Sequence, residues 1–175
     1  MRFMARIVAS TAGFRDVGLG IGAVALVTAS LTAQSVPHVG TWQVNLAKSK
    51  FDPGPAPASQ TRVYEILQDA RGPAYDMLKL TQTSVLQDRP QFVSEYGARF
   101  DGMDYPATES GVYDSIALTR VDANTFDATL KRAGKVVQTA RNVVSADGKV
   151  MTVTVNGADV ATGRTFRTVI VLDRM

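Results

Sequence analysis

The sequence predicts an all-β domain: an antiparallel up-and-down meander of about eight to ten strands that closes into a β-barrel. From Gly40 onward, β-branched residues alternate with polar residues and do not follow the 3.6-residue period of an amphipathic helix. Short turns rich in Gly, Asp and Asn separate these segments at hairpin spacing. An open sheet of so many strands would expose its edges, and closure into a barrel removes them. A two-sheet sandwich is the main alternative.

The chain begins with a predicted signal peptide. Three arginines precede an apolar run at residues 17–31, and the small residue Ala33 precedes Gln34. The run is short and interrupted by glycines, whereas a membrane-spanning helix needs about 20 apolar residues. We therefore expect a signal-peptide helix within residues 1–33, cleavage after Ala33, and a single domain at 34–175 that is periplasmic or secreted. A leader retained as an anchor is the alternative.

Charge and composition narrow the possible functions. The chain has 19 basic and 16 acidic residues, and removing Arg2, Arg6, Arg15 and Asp16 with the leader leaves 16 and 15, a net charge of +1. Nucleic-acid binding requires a concentrated basic surface, so we expect no nucleic-acid partner. Because cleavage removes the apolar run of the leader, we also expect no stable membrane insertion after cleavage. The chain has no cysteine, which excludes disulfides, thiolate chemistry and cysteine-ligated metals.

The first half of the mature chain contains five predicted strands, at residues 41–46, 61–68, 75–85, 91–100 and 103–105. A connector at 47–60 separates the first two, and its prolines and glycine predict a loop or a lid because proline cannot donate to a strand ladder. Asp101-Gly102 predicts a two-residue hairpin turn.

The second half contains five more predicted strands, at 115–121, 125–131, 135–145, 149–156 and 164–173. Residues two apart on a strand share a face, so the apolar members of each segment identify the side that faces the core. The predicted core residues are Ile116, Leu118, Phe126, Ala128, Leu130, Met151, Val153, Val155, Phe166, Ile170 and Leu172.

Gly40-Thr41-Trp42 opens the first predicted strand, and the last strand carries arginines. With the meander between them, the chain resembles the calycins, the superfamily of lipocalins and fatty-acid-binding proteins. The resemblance implies a lipocalin-like β-barrel whose end is closed by Trp42, with Arg174 or Arg167 packed over its ring. The stretches at 40–55, 100–106 and 145–155 also resemble an uncharacterised group of bacterial exported proteins. One departure is that the connector has no room for the helical lid of fatty-acid-binding proteins.

The predicted function is binding of a small amphiphilic or hydrophobic ligand inside the barrel. In β-barrel pockets a few inward polar side chains hold the polar end of an apolar ligand. Arg120 follows two core positions at a period of two and is expected to face inward. The candidate ligand-binding residues, chosen to hold an anionic head group, are Arg120, Arg141, Tyr113 and Arg167.

No catalytic residue, metal ligand or cofactor is predicted, and the protein is not expected to be an enzyme. His38 is the only histidine and follows Pro37 in a segment that we expect to be loose, so we expect it at the surface and not in a catalytic triad or a metal site. The alternative to ligand binding is a structural or interaction module of the cell envelope whose barrel is filled by side chains. Ligand identity and oligomeric state stay open.

Overall fold

A computed structural model describes residues 36–52, 54–87, 89–108, 111–158 and 162–175. The predicted signal peptide at 1–33 and its cleavage site lie outside the described residues. Ten antiparallel strands form a closed barrel in which each strand pairs with its sequence neighbours and the last pairs with the first. The strands are β1 Gly40–Val44, β2 Ser59–Leu67, β3 Met77–Leu86, β4 Arg89–Ala98, β5 Tyr105–Thr108, β6 Ser115–Arg120, β7 Thr125–Arg132, β8 Lys135–Val144, β9 Val150–Ala158 and β10 Thr165–Arg174.

The predicted fold class is confirmed. Within the described ranges the one helix is a three-residue turn at Pro73–Tyr75, and no helix is long and apolar enough to cross a membrane. All the predicted core residues of β6, β7, β9 and β10 are buried or half-buried. Alternation therefore identified the inner face of these four strands correctly.

The predicted two-residue turn at Asp101-Gly102 is wrong. β4 and β5 pair through Tyr96 with Ala107 and Glu95 with Thr108, so the loop between them is much wider than a hairpin turn. The Asp101 carboxylate organises this loop, because it accepts hydrogen bonds from the Tyr105 hydroxyl and from the backbone N–H of Met103. β5 is only four residues long, and it pairs with β6 through two residue pairs.

The proline-rich connector begins as a continuation of the barrel wall. The Asn45 N–H donates to the Val171 carbonyl at 2.8 Å, and Lys50 pairs with Val169 of β10 through N–H···O bonds of 2.7 and 2.8 Å. The Thr168 hydroxyl donates to the Asp52 carbonyl at 2.9 Å. The first part of the connector therefore extends the short β1 along β10.

One half of the barrel is filled by large apolar side chains. Trp42, Leu118, Phe126, Met151 and Leu172 are each no more than 1 % exposed. We call this half, which the segment 36–39 covers, the plugged end. Close packing of this kind supplies most of the hydrophobic stabilisation of a small domain.

An arginine closes the plugged end over the single tryptophan. Trp42 and Arg174 face each other in the β1–β10 register, and the guanidinium carbon of Arg174 lies 4.2 Å from the centroid of the Trp42 ring. The guanidinium also donates to the carbonyls of Val39 (2.8 Å), Gly148 (2.6 Å) and Pro37. A Cβ at Gly40, whose φ is +129°, would lie 2.6 Å from Arg174 Nη1, so glycine permits this approach. Arg174 thereby joins the segment before β1 to the barrel.

His38 is buried, not at the surface as the sequence predicted. The residue is only 1 % exposed, and its imidazole ring packs edge-on against the ring of Phe126, with 4.6 Å between the ring centroids. The Trp42 indole N–H donates to the His38 carbonyl at 2.7 Å, and this bond and the arginine contacts hold the segment against the barrel. Neither imidazole nitrogen has a well-formed hydrogen bond among the described residues. Burial lowers the pKa of His38 to about 4.

Candidate functional site

The other half of the barrel contains a cavity of about 250 Å³. The volume is just under the roughly 300 Å³ at which ordinary ligand pockets begin. A cavity of about 150 Å³ holds one benzene molecule, so by proportion this one holds a molecule of about ten non-hydrogen atoms. Much of the wall is aliphatic or aromatic, and it includes Leu80, Leu130, Val153, Phe166 and Ile170.

The polar side of the cavity is built by β2. Successive inward positions of this strand carry Gln60, Arg62 and Tyr64, and all three side chains line the cavity. Their order follows from alternation, because the residues between them face outward. The strand thus presents an amide, a guanidinium and a phenol along one wall.

Arg62 is the most unusual residue of the cavity. It is only 7 % exposed, and its Nε has no hydrogen-bond partner. Among the described residues, no carboxylate lies within ion-pair distance of its guanidinium. A buried charge without a counter-charge is costly, since the lost hydration is not replaced. The cavity therefore offers an uncompensated positive charge that an anion would complement.

Three tyrosines, Tyr64, Tyr96 and Tyr113, line the same cavity as Arg62. Burial raises the pKa of Tyr96 well above its ordinary value, and the nearby charge of Arg62 offsets only part of that increase. Burial likewise raises the pKa of Tyr113. Both phenols therefore stay protonated and uncharged at neutral pH, and the Tyr96 hydroxyl also hydrogen-bonds with that of Tyr64.

Amide side chains complete the polar surface. Gln60 is 7 % exposed and its Nε2 donates to the Ser84 hydroxyl at 3.1 Å, but its Oε1 has no partner. Asn142 of β8 is 3 % exposed and also lines the cavity. Gln138 and Thr168 are half-buried and lie towards the end of the barrel opposite Trp42. The site can therefore donate and accept several hydrogen bonds beside its apolar wall.

The structure places one of the four predicted ligand-binding residues, Tyr113, in the cavity wall. Arg120 turns inward but at the plugged end, where its guanidinium carbon stacks 4.1 Å from the centroid of Phe100. Arg141 and Arg167 are exposed on the outside of the barrel and cannot contact a molecule in the cavity.

The placement of Arg141 has a clear cause in the strand register. Arg141 lies opposite Asp127 on the outer face, and its guanidinium donates to both oxygens of that carboxylate at 2.8 and 2.7 Å. Its neighbours Ala140 and Asn142 face the cavity. The sequence-based prediction that Arg141 faces the interior was therefore wrong, because the inward positions of β8 are those of its two neighbours.

Gln60 and Asn142 were not considered as site residues from the sequence, and Arg62 was one of several basic strand residues considered for an anionic head group but was not among the four chosen. The usable signal was the spacing of Gln60, Arg62 and Tyr64 at every second position of a predicted strand. A strand with a polar inner face is unusual for a packed core and is typical of a strand that faces a cavity.

No protein-family model matches the chain, and no curated protein and no solved structure matches it. The closed ten-stranded antiparallel barrel is consistent with a calycin-like fold. In the part of the chain that the structure describes, no three histidine, aspartate or glutamate side chains come together as a metal site.

Proposed function

We propose that this chain is an exported, calycin-like binding protein that holds a small amphiphilic molecule in its barrel, with an anionic head group at Arg62. The observation that carries this proposal is Arg62, a residue only 7 % exposed that lines a cavity of about 250 Å³ and has no carboxylate within ion-pair distance among the described residues. A bound anion would supply the missing counter-charge. The proposed location is periplasmic or secreted, and no catalytic step is proposed.

The two kinds of cavity wall support an amphiphile. Hydrogen bonds between a guanidinium and a carboxylate are among the strongest in proteins, and Tyr96 and Tyr113 place uncharged hydroxyl groups in the same cavity wall. Leu130, Phe166 and Ile170 offer an apolar surface for a short tail. The size of the cavity favours a ligand of about ten non-hydrogen atoms over a long-chain lipid. The presence of this cavity also favours binding over a barrel filled by side chains.

Arg62→Met is expected to weaken octanoate binding at least about tenfold, since the variant keeps the side-chain volume and removes the charge. The measurement is isothermal titration of the purified domain with sodium octanoate, which has about ten non-hydrogen atoms and matches the cavity. The matched control is Arg167→Met, because Arg167 is exposed on the outside of the barrel. Binding by the control should equal that of the wild type.

Equal affinity in the wild type and in Arg62→Met would contradict the assignment of the head group. Native mass spectrometry of the protein purified from its host tests the binding function more broadly. A co-purifying small anion supports the proposal. Bare protein in several preparations, together with no octanoate binding, would favour the structural or interaction module.

The export part of the proposal has its own test. When the full chain is expressed in a bacterium with a periplasm, the exported protein is expected to begin at Gln34, because Ala33 ends the predicted signal peptide. Intact-mass measurement of the periplasmic fraction gives the first residue directly. A mass that begins at Met1 would favour the retained anchor.

A further inference from the structure

Two alanines form a recess in the wall of the cavity. Ala128 of β7 and Ala140 of β8 both line the cavity, and they have the smallest side chains among the described residues of its wall. They lie directly opposite each other in the β7–β8 register. The Cβ atoms of directly opposite residues in an antiparallel pair are about 5 Å apart, so the two methyl groups border one continuous recess.

The neighbouring inward side chains on the same two strands are all larger. They are Phe126 and Leu130 on β7, and Gln138 and Asn142 on β8. In a close-packed core, a large side chain from another strand fills the space in front of a small one. Here that space belongs to the cavity, because both alanines border it. The two alanines therefore enlarge the cavity on this side.

The recess lies across the barrel from the proposed head-group site. Counted around the ring of ten strands, β7 is the fifth strand from β2 in either direction, so a molecule bound at Arg62 can extend towards β7. The surroundings of the recess are apolar: Leu130 occupies the next inward position of β7, and Val155 lies opposite Ala140 in the β8–β9 register. Such a wall suits the tail of an amphiphile and not its charged end.

We propose that the recess at Ala128 and Ala140 receives the apolar tail of the bound anion and limits the tail, so that the site selects carboxylates of up to about eight carbons. This inference rests on the proposed function and assigns the residues that determine ligand size. A cavity of about 150 Å³ holds benzene, which corresponds to about 25 Å³ per carbon atom. Ala128→Leu adds three carbons, so it should reduce the capacity from about ten non-hydrogen atoms, as in octanoate, to about seven, as in pentanoate.

The test compares octanoate with pentanoate by isothermal titration of the purified domain. Each buried CH₂ group contributes about fourfold to affinity, so the wild type is expected to bind octanoate about 60-fold more tightly than pentanoate. Ala128→Leu should keep its affinity for pentanoate and lose most of this preference, because the three further carbons no longer fit. Ala140→Leu should have the same effect from the neighbouring strand. The control is Thr139→Leu, which should keep the preference, since Thr139 is exposed on β8.

Circular dichroism confirms that each variant is folded. If Ala128→Leu does not fold, Ala128→Val takes its place; it adds two carbons, so hexanoate should become the acid that binds most tightly. An undiminished preference for octanoate in the variants of both alanines would overturn the inference and leave anion binding at Arg62 standing. Equal weakening of both acids in a folded variant would overturn it as well. Binding of neither acid by the wild type would overturn the proposed function, and the inference with it.

Discussion

Trp42→Ala is expected to lower the free energy of unfolding by about 4 kcal/mol, the usual cost of removing a large buried aromatic side chain. Trp42 is fully buried, its indole N–H donates to the His38 carbonyl, and Arg174 covers its ring. The variant loses the packing of the plugged end and the bond that holds the segment before β1. Urea unfolding measures the effect. It is followed by far-ultraviolet circular dichroism and not by tryptophan fluorescence, because the substitution removes the only tryptophan.

A double-mutant cycle shows whether Trp42 and Arg174 stabilise the barrel together. Arg174→Ala alone is expected to cost about 1–2 kcal/mol, since it removes a cation–π contact and three hydrogen bonds to carbonyls. In the double variant, the total loss of unfolding free energy should be smaller than the sum of the losses in the two single variants. Trp42→Phe is the milder control, as it keeps an aromatic ring and removes the N–H. Strict additivity would mean that the stacked pair does not act as one structural unit.

The barrel is expected to lose about 3 kcal/mol of stability as the pH falls from 6.5 to 4, through His38 alone. Burial lowers the pKa of this imidazole from 6.5 to about 4; the positive charges of Arg120 and Arg174 also lower it, while the Asn142 carbonyl and Asp122 oppose the shift. Between these two values the unfolded chain binds a proton that the native protein does not. Stability therefore falls with decreasing pH across this window, and the loss from His38 is complete below about pH 4.

Urea unfolding of the wild type and of His38→Met at a series of pH values measures this contribution. The variant cannot gain the proton, so its stability should change less between pH 6.5 and 4. Carboxylates that titrate in the same window act in both proteins, and the difference between the two curves isolates His38. Parallel curves would show that the buried imidazole does not control the acid sensitivity of the fold.

Much of the barrel could be predicted from periodicity alone. In β7 and β9 the inward residues are mostly apolar and the outward residues are mostly polar, so alternation gives both the strands and their inner faces. The strand pattern depends only on local sequence. The stacking of an arginine on Trp42 was instead implied by the resemblance to calycins, which left Arg174 and Arg167 as alternatives, and the β1–β10 register shows that the arginine is Arg174.

The cavity could not be predicted in the same way, because its strands break the rule that polar residues face outward. On β8, Asn142 is 3 % exposed whereas the next residue, Val143, is 37 % exposed. Arg141, beside them, looked inward only because the apolar residues of β8 were assumed to face the core. A functional interior reverses the polarity pattern on which strand assignment depends.

The burial of His38 was missed for a different reason. Residues before β1 have no periodic pattern, so nothing local indicates which side chain turns inward. The position is decided by contacts with Trp42, four residues on, and with Arg174, at the other end of the domain. Only the closed barrel brings these partners together.

The short fifth strand makes one part of the barrel wall easier to open than the long ladders. β5 joins its neighbours through two residue pairs on each side, and Pro106 has no N–H to contribute. Parting the wall there breaks fewer hydrogen bonds than at the long β2–β3 or β9–β10 ladders. The backbone amides beside β5 are therefore expected to exchange their hydrogens with solvent sooner than those of the two long ladders.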